Sequence, residues 1–271
     1  MPELPEVETV KESLKKKVLN KTITDVYIHY DKIIEYPDIQ LFKSEIKNQK
    51  IIDIKRRGKW LLFELDNYYL LSHLRMEGKY FFRQKKEALS KHDHISFVLD
   101  DEEEMRYNDT RKFGRMYLLD KKEAFKQKPL NELGMEPWDT NLNINYLKEK
   151  FKNKEIPIKT ILLDQSIIVG IGNIYDDEIL FKSGINPLTK GKDITDKQID
   201  KIITNTKLVL EKAILLGGTT IKSYTSSEGV HGRFQNELLI HTKEICPNCG
   251  NKVTKIKIGG RGTYYCENCQ K

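Results

Sequence analysis

Four cysteines near the end of the chain have the spacing of a metal site. They form two pairs, Cys246 with Cys249 and Cys266 with Cys269, with two residues inside each pair and sixteen residues between the pairs. Four thiolates spaced in this way can surround one Zn²⁺ tetrahedrally, whereas four unrelated structural thiols have no reason to repeat the pattern. We therefore predict one structural Zn²⁺, which also stabilises a unit too small to fold on its own apolar core.

The segment between the two cysteine pairs predicts a β-hairpin with an arginine at its tip. β-Branched residues lie on both sides of Gly259 and Gly260, and Arg261 follows them directly. Glycines at the tip allow a partner to approach the backbone closely, so Arg261 is a candidate phosphate contact. A solvated loop arginine explains the same residue equally well.

A turn with two glycines offers a second place for a phosphate. Gly170 and Gly172 bracket this turn, and Asn173 begins the helix that follows. The N-terminus of a helix presents free N–H groups and a positive dipole end, which suit an anion. An asparagine at this position also caps a helix through its own side chain, and capping is the simpler expectation for Asn173.

The composition is that of a folded protein with a modest excess of positive charge. The chain has 271 residues, of which 38% are hydrophobic, and a formal net charge of +7. This composition argues against a disordered chain, and the charge allows a polyanionic partner without requiring one. No apolar run is long enough to span a bilayer, and the acidic start does not resemble a signal peptide. We therefore expect a cytoplasmic protein with no membrane partner.

The hydrophobic pattern predicts an α+β protein. Helical spacing of apolar residues opens the chain, at Leu4, Val7, Val10, Leu14 and Val18. Many short alternating runs then predict a β-sandwich behind this leading helix. Helical spacing resumes after Gly134 and Pro137, and the cysteines form a separate unit at the end. The predicted domains are a β-sandwich at 1–133, a helical domain at 134–241 and a zinc finger at 242–271.

Six motifs occur in one order along the chain. They are MPELPEVETV, RRGKW, KHDH, NDTRKFGR, LLDQ…VGIGNIYDDE and CPNC…GGRGTYYCENCQK. Together they resemble the formamidopyrimidine-DNA glycosylases, bacterial enzymes that remove 8-oxoguanine and ring-opened purines from DNA. The resemblance runs from the first residue to the last. It implies an N-terminal β-sandwich, a helix–two-turns–helix domain and a zinc finger, and a monomer whose partner is double-stranded DNA with damaged bases.

The resemblance also implies a catalytic amine at the start of the chain. Met1 would be removed, and Pro2 would attack the sugar. An α-amine titrates below a lysine side chain, so more of it is neutral and nucleophilic near pH 7. Because the amine of proline is secondary, its adduct with a sugar aldehyde is an iminium that keeps its charge, which favours elimination of the 3′ and then the 5′ phosphate. By position alone, Pro2 would merely begin a helix.

Two further residues have implied catalytic roles. By resemblance, Glu3 protonates the ring oxygen of the sugar and Lys59 contacts the phosphate beside the lesion. Without the resemblance, Glu3 would be an acid favoured by the dipole of its helix, and Lys59 would be a solvated strand lysine.

Extrusion of a damaged base leaves a space in the duplex. The resemblance implies three side chains that fill this space. Met76, Arg111 and Phe113 match the filling positions, and Arg111 would hydrogen-bond the orphaned cytosine. An apolar wedge can separate a base step. Met76 and Phe113 could equally be core residues.

The other implied contacts are with the DNA backbone and the damaged base. Residues matching phosphate contacts are His73, Asn173 and Arg261. The KHDH segment contains His92 and His94; His92 is grouped with the DNA-binding residues, and we assign neither histidine to a metal. The segment 223–235 matches a loop that closes on the damaged base. One departure lies before the zinc unit, where the family commonly has Tyr-Gly-Arg and this chain has Ile240-His241-Thr242-Lys243.

Three other interpretations remain open. An endonuclease VIII-type enzyme would use the same nucleophile on oxidised pyrimidines, although the PELPE start and the set of Met76, Arg111 and Phe113 favour the purine enzyme. A zinc-ribbon DNA-binding protein without catalysis would not need Pro2 followed by Glu3. A damage-recognition protein that has lost its catalysis would have no reason to retain Pro2, Glu3 and Lys59.

Overall fold

The computed structural model describes residues 2–219 and 232–271. These residues form two compact units. The first contains Pro2 and residues 6–131, and the second contains residues 3–5, 132–219 and 232–271. The domain boundaries drawn from the sequence, at 133 and 241, stay predictions.

Six α-helices lie in the described ranges. They are α1 (Leu4–Val18), α2 (Ile39–Ile46), α3 (Ile144–Phe151), α4 (Ile158–Leu162), α5 (Asn173–Ser183) and α6 (Asp196–Leu215). The strands of the first unit are β1 (Thr22–Ile28), β2 (Ile34–Tyr36), β3 (Gln49–Lys50), β4 (Asp53–Arg57), β5 (Trp60–Glu64), β6 (Tyr68–His73), β7 (Lys79–Gln84), β8 (Asp93–Leu99), β9 (Glu103–Asn108) and β10 (Arg115–Asp120). Two strands, β11 (Thr254–Ile258) and β12 (Arg261–Tyr265), form the terminal hairpin.

The first unit is a β-sandwich. Its two five-stranded sheets have the orders β3-β1-β8-β9-β7 and β2-β10-β6-β5-β4. Side chains from both sheets share one buried apolar cluster, which includes Phe97 of one sheet and Phe63 of the other. Alternation along each strand sends one set of residues into this core. The predicted sandwich is confirmed.

The second unit is helical around a second apolar core, to which α3, α4, α5 and α6 contribute. A capping box between Thr195 and Gln198 begins α6, and Gly184 ends α5 in the left-handed conformation. Together with the hairpin these elements confirm the predicted α+β class. None of the helices in the described ranges is both long and apolar enough to cross a membrane.

Candidate functional site

The carboxylate of Glu3 caps the N-terminus of α5. It accepts hydrogen bonds from the backbone N–H groups of Gly172 at 2.8 Å, Ile174 at 3.0 Å and Tyr175 at 3.4 Å. A side chain at Gly172 would leave no room, because a Cβ atom there would lie 2.3 Å from the carboxyl carbon of Glu3. Three N–H donors and the positive helix end stabilise this buried negative charge and fix its position.

The prediction that Asn173 caps α5 is therefore wrong. The N-cap residue is Gly172, and no side-chain cap is made from within the helix start. Glu3 supplies the cap from 169 residues earlier in the chain, which no local pattern could reveal. The side-chain amide of Asn173 instead donates to the carbonyl oxygen of Gly262 in the hairpin, at 2.9 Å.

Pro2 is buried and lies two residues before the start of α1 at Leu4. Met1 lies outside the described residues, so its removal stays a prediction. In the full-length chain the nitrogen of Pro2 is part of a peptide bond and has no lone pair for attack. Nucleophilic chemistry at Pro2 therefore requires the processed chain.

Lys59 and His73 lie at the same end of two neighbouring strands. Trp60, which follows Lys59, pairs with His73 across β5 and β6, and the two rings meet edge-on with centroids 4.8 Å apart. Lys59 lies in the turn between β4 and β5 and is 6% exposed, so it is not a solvated strand lysine. Burial restricts the conformations open to this side chain.

His73 is a neutral hydrogen-bond donor at physiological pH. Burial, followed by the positive charges of Arg75 and Lys59, lowers the pKa of His73 to about 3. Its Nδ1 accepts the backbone N–H of Arg75 at 2.9 Å. A neutral imidazole that accepts through Nδ1 carries its proton on Nε2, which can donate to a phosphate oxygen.

Arg111 and Phe113 project from the turn between β9 and β10. The guanidinium of Arg111 lies over the ring of Phe113, 4.7 Å from its centroid, and Phe113 is 45% exposed. A phenylalanine this exposed, with a guanidinium group over its ring, is not a core residue. The interpretation of Phe113 as a core residue is therefore excluded. Met76, in the turn between β6 and β7, is half-buried.

Two residues that were not identified from the sequence, Asp109 and Tyr107, stabilise the turns that carry Met76, Arg111 and Phe113. The buried carboxylate of Asp109 accepts the backbone N–H groups of Arg111, Phe113 and Gly114, each at 2.9 Å. The hydroxyl of Tyr107 would lie 2.3 Å from a Cβ atom at Gly78 and 1.8 Å from one at Gly114. Tyr107 therefore leaves room only for glycine at positions 78 and 114. Aspartate before the turn was the available signal for the first contact.

The two histidines of the KHDH segment have different surroundings. His94 is buried, and its Nε2 lies 2.7 Å from the carbonyl oxygen of Asp109. His92 is half-buried, and its own carbonyl oxygen accepts the N–H of Asp109 at 3.0 Å. Within the described residues neither belongs to a group of three or more potential metal ligands. Both therefore support the turn that carries Arg111.

The four cysteines form a ligand set for one metal ion. Their Sγ atoms all lie within 4.8 Å of one another. Two of the Sγ–Sγ distances are 3.8 Å, for Cys246 and Cys269, and 3.5 Å, for Cys249 and Cys266. Tetrahedral Zn²⁺ with Zn–S bonds of about 2.3 Å requires sulfur separations of about 3.8 Å. The cysteines thus fit one structural Zn²⁺, as predicted. Arg261 is the first residue of β12, exposed at the tip of the hairpin.

A buried carboxyl group lies in the first turn of α5. Asp176 is fully buried, and neither of its carboxyl oxygens has a hydrogen-bond partner within the described residues. Burial raises the pKa of Asp176 to about 7, although the ammonium group of Lys159 lies 3.4 Å away and opposes this effect. Asp177, its neighbour, takes the closer contact with Lys159, at 2.6 Å.

Substitution of Asp176 by asparagine should flatten the pH dependence of stability. The folded state holds the proton of Asp176 up to about pH 7, while the unfolded chain releases it near the ordinary aspartate pKa of 3.8. Between these pH values the folded state binds more protons, so the free energy of unfolding falls as pH rises, by on the order of a few kcal/mol. Urea unfolding at pH 5 and pH 8 measures this. Asp176→Asn should be more stable relative to the unaltered protein at pH 8 than at pH 5; an equal difference at both would contradict the assignment.

The predicted base-recognition segment, 223–235, lies mostly outside the described residues. Of its members, residues 232–235 are described, and Phe234 begins a short 3₁₀ turn that ends at Glu237.

Three family models match successive parts of the chain. Residues 1–116 match the formamidopyrimidine-DNA glycosylase N-terminal domain, residues 133–225 the H2TH domain of the same enzymes, and residues 243–271 a zinc finger found in FPG and IleRS. The matches follow the order of the elements described above.

Full-length relatives agree with these matches. Formamidopyrimidine-DNA glycosylase of Oceanobacillus iheyensis is 47% identical over 274 residues, covering 100% of this chain and 98% of that protein. The enzyme of Halalkalibacterium halodurans is 46% identical with complete coverage of both chains. A Lactococcus lactis FPG variant bound to DNA containing Fapy-dG is 35% identical with a TM-score of 0.93, and the wild-type Lactococcus lactis FPG bound to DNA with an oxidised pyrimidine has a TM-score of 0.91; each comparison covers both chains fully. The chain therefore belongs to the formamidopyrimidine-DNA glycosylase family.

Proposed function

We propose that this chain is a bifunctional DNA glycosylase and AP lyase that excises oxidised purines, 8-oxoguanine and formamidopyrimidines, from duplex DNA. The observation that carries the proposal is the carboxylate of Glu3, held by three backbone N–H groups directly after the candidate nucleophile Pro2. A helix cap does not need to come from the second residue of the processed chain. A proton-transfer group beside an amine does need such a fixed position.

In the proposed reaction the nitrogen of Pro2 attacks C1′ of the damaged nucleotide. The N–C1′ bond forms as the glycosidic bond breaks, and the base departs with the bonding electron pair and takes up a proton. The attack leaves the original proton on the nitrogen of Pro2. The carboxylate of Glu3 takes this proton and delivers it to the ring oxygen of the sugar as the bond between C1′ and that oxygen breaks, which opens the ring and leaves an iminium. Loss of the C2′ proton expels the 3′ phosphate, and loss of the C4′ proton then expels the 5′ phosphate.

The other residues bind DNA in this proposal. Lys59 and the Nε2–H of His73 contact phosphate oxygens beside the lesion, since both project from the same end of β5 and β6. The exposed pair of Arg111 and Phe113 enters the duplex with Met76, and Arg111 bonds the orphaned cytosine. Asn173 and Arg261 contact the backbone from the second unit. The enzyme acts in the cytoplasm, at the nucleoid when it is bound to the chromosome.

A panel of damaged duplexes tests the substrate class. The purified chain is given duplexes with 8-oxoguanine or a formamidopyrimidine opposite cytosine, 8-oxoguanine opposite adenine, and an oxidised pyrimidine. We expect the purine lesions opposite cytosine to be cleaved at least tenfold faster than the others, a difference of about 1.4 kcal/mol in the barrier. Preference for the oxidised pyrimidine would support the endonuclease VIII type instead.

Removal of one zinc ligand should weaken DNA binding strongly without changing the nucleophile. Cys249→Ala breaks the tetrahedral set, and the finger unfolds because its few apolar contacts cannot replace the metal. The measurements are zinc content and binding to a duplex containing a tetrahydrofuran abasic analogue. We expect less than one zinc per chain and a binding loss of roughly 100-fold, about 2.7 kcal/mol. Unchanged binding with zinc absent would show that the finger is dispensable.

A further inference from the structure

A buried ionic cluster joins α5 to the terminal hairpin. Asp177, which is 1% exposed, lies 2.6 Å through Oδ1 from Nζ of Lys159 and 2.6 Å through Oδ2 from Nδ1 of His241. The same Oδ2 accepts the backbone N–H of Tyr264 in β12, at 3.3 Å. A charge buried so deeply is costly unless it is fully paired, and Asp177 is paired on both oxygens.

His241 is held on three sides in this cluster. Since a carboxylate only accepts hydrogen bonds, Nδ1 of His241 carries the proton that points at Asp177. The imidazole meets the ring of Tyr264 edge-on, with centroids 5.1 Å apart. The backbone N–H of His241 donates to Oε1 of Glu178 at 2.9 Å, and Glu178 also accepts the N–H groups of the two preceding residues. One residue thus contacts the helix and the hairpin together.

The contacts between α5 and β12 also align the two predicted phosphate contacts of the second unit, Asn173 and Arg261. Asn173 opens α5 and donates to the carbonyl oxygen of Gly262, the residue after Arg261. Asp177 lies one helical turn further along α5 and holds Tyr264. These two contacts, one helical turn apart on α5, fix the direction of β12 against the helix. His241 contacts both partners of the second one, Asp177 and Tyr264.

We propose that His241 is a positioning residue that sets the hairpin on α5, so that Arg261 reaches the DNA backbone. The inference rests on the proposed DNA-binding role of Arg261. His241 itself is 12% exposed at its side chain and is turned towards Asp177, so it acts through the hairpin and not on DNA. The histidine lies in the stretch where this chain departs from the Tyr-Gly-Arg of the resemblance.

A double-mutant cycle tests the proposal on the full-length, zinc-loaded protein. Arg261→Ala, His241→Ala and the double variant are compared for binding to an abasic-analogue duplex over a series of salt concentrations. We expect Arg261→Ala to weaken binding about tenfold and to lower the salt slope by about 0.9, the loss of one phosphate contact. His241→Ala should likewise weaken binding and lower the salt slope. In the Arg261→Ala background, His241→Ala should change the Kd less than twofold, because the contact through which it acts is already gone.

Two further variants separate positioning from folding. His241→Asn keeps a donor at the place of Nδ1 and should recover most of the binding lost in His241→Ala. Ile245→Thr lies in the same segment with an exposed side chain and should bind as the unaltered protein does. Zinc content should stay at one per chain in all of these variants.

The possible failures are distinguishable. If Arg261→Ala does not weaken binding, the proposed DNA contact itself is wrong. If Arg261→Ala weakens binding but the loss from His241→Ala is fully retained in the double variant, His241 does not act through Arg261 and the inference is overturned. Loss of zinc in both His241 variants would also overturn it, because the residue would then only keep the finger folded.

Discussion

A Pro2→Gly variant should bind damaged DNA normally but lose most strand cleavage. Glycine at this position still permits removal of Met1 and leaves an α-amine, but that amine is primary. Its adduct with the sugar can lose a proton and become a neutral imine, which withdraws electrons less strongly than the permanent iminium of proline. We expect the single-turnover rate on an 8-oxoguanine duplex to fall roughly 100-fold or more, about 2.7 kcal/mol in the barrier.

The measurement is single-turnover cleavage at saturating enzyme, with binding to an abasic-analogue duplex as the control. Mass spectrometry must show that Met1 is absent from both proteins. Cleavage by Pro2→Gly at the unaltered rate would weaken the special role of the secondary amine. Full activity of a chain that retains Met1 would exclude the amine mechanism altogether.

A Glu3→Gln variant should lose both turnover and stability, for separable reasons. Gly172 and Ile174 donate their N–H groups to different oxygens of the carboxylate, and the amide nitrogen that replaces one oxygen cannot accept, so one of these N–H groups loses its partner. The amide also cannot transfer the proton to the sugar. Loss of a proton-transfer group costs about 10² to 10⁴ in rate. A buried N–H group left without its acceptor costs about 1–3 kcal/mol in the free energy of unfolding.

Glu178→Gln is a matched control for the stability effect. Glu178 is also a buried carboxylate of the second unit that accepts three backbone N–H groups, from Leu239, Ile240 and His241. Its substitution should lower stability comparably while leaving the single-turnover rate at saturating DNA within a few-fold. Equal rate losses in the two variants would show that Glu3 is only a helix cap.

Local patterns in the sequence predicted much of the fold. Alternation identified strands such as β8 because its alternate residues Ile95, Phe97 and Leu99 enter the apolar core. The cysteine spacing predicted the zinc site because four ligands on two short turns need no distant partner. The capping box between Thr195 and Gln198 is equally local, because its partners lie three residues apart.

Contacts between distant parts of the chain were beyond such patterns. The cap of α5 comes from Glu3, so the expected role of Asn173 as a cap was wrong. Lys59, which residue type alone suggests is solvated, is buried.

Borohydride trapping tests the central claim most directly. The purified protein, with the absence of Met1 verified by mass spectrometry, is incubated with a duplex carrying one 8-oxoguanine opposite cytosine while borohydride reduces any iminium. The account predicts a stable covalent complex in which peptide mapping places the sugar on Pro2. Absence of an adduct on this duplex and on one with an oxidised pyrimidine, or an adduct on any other residue, would contradict it.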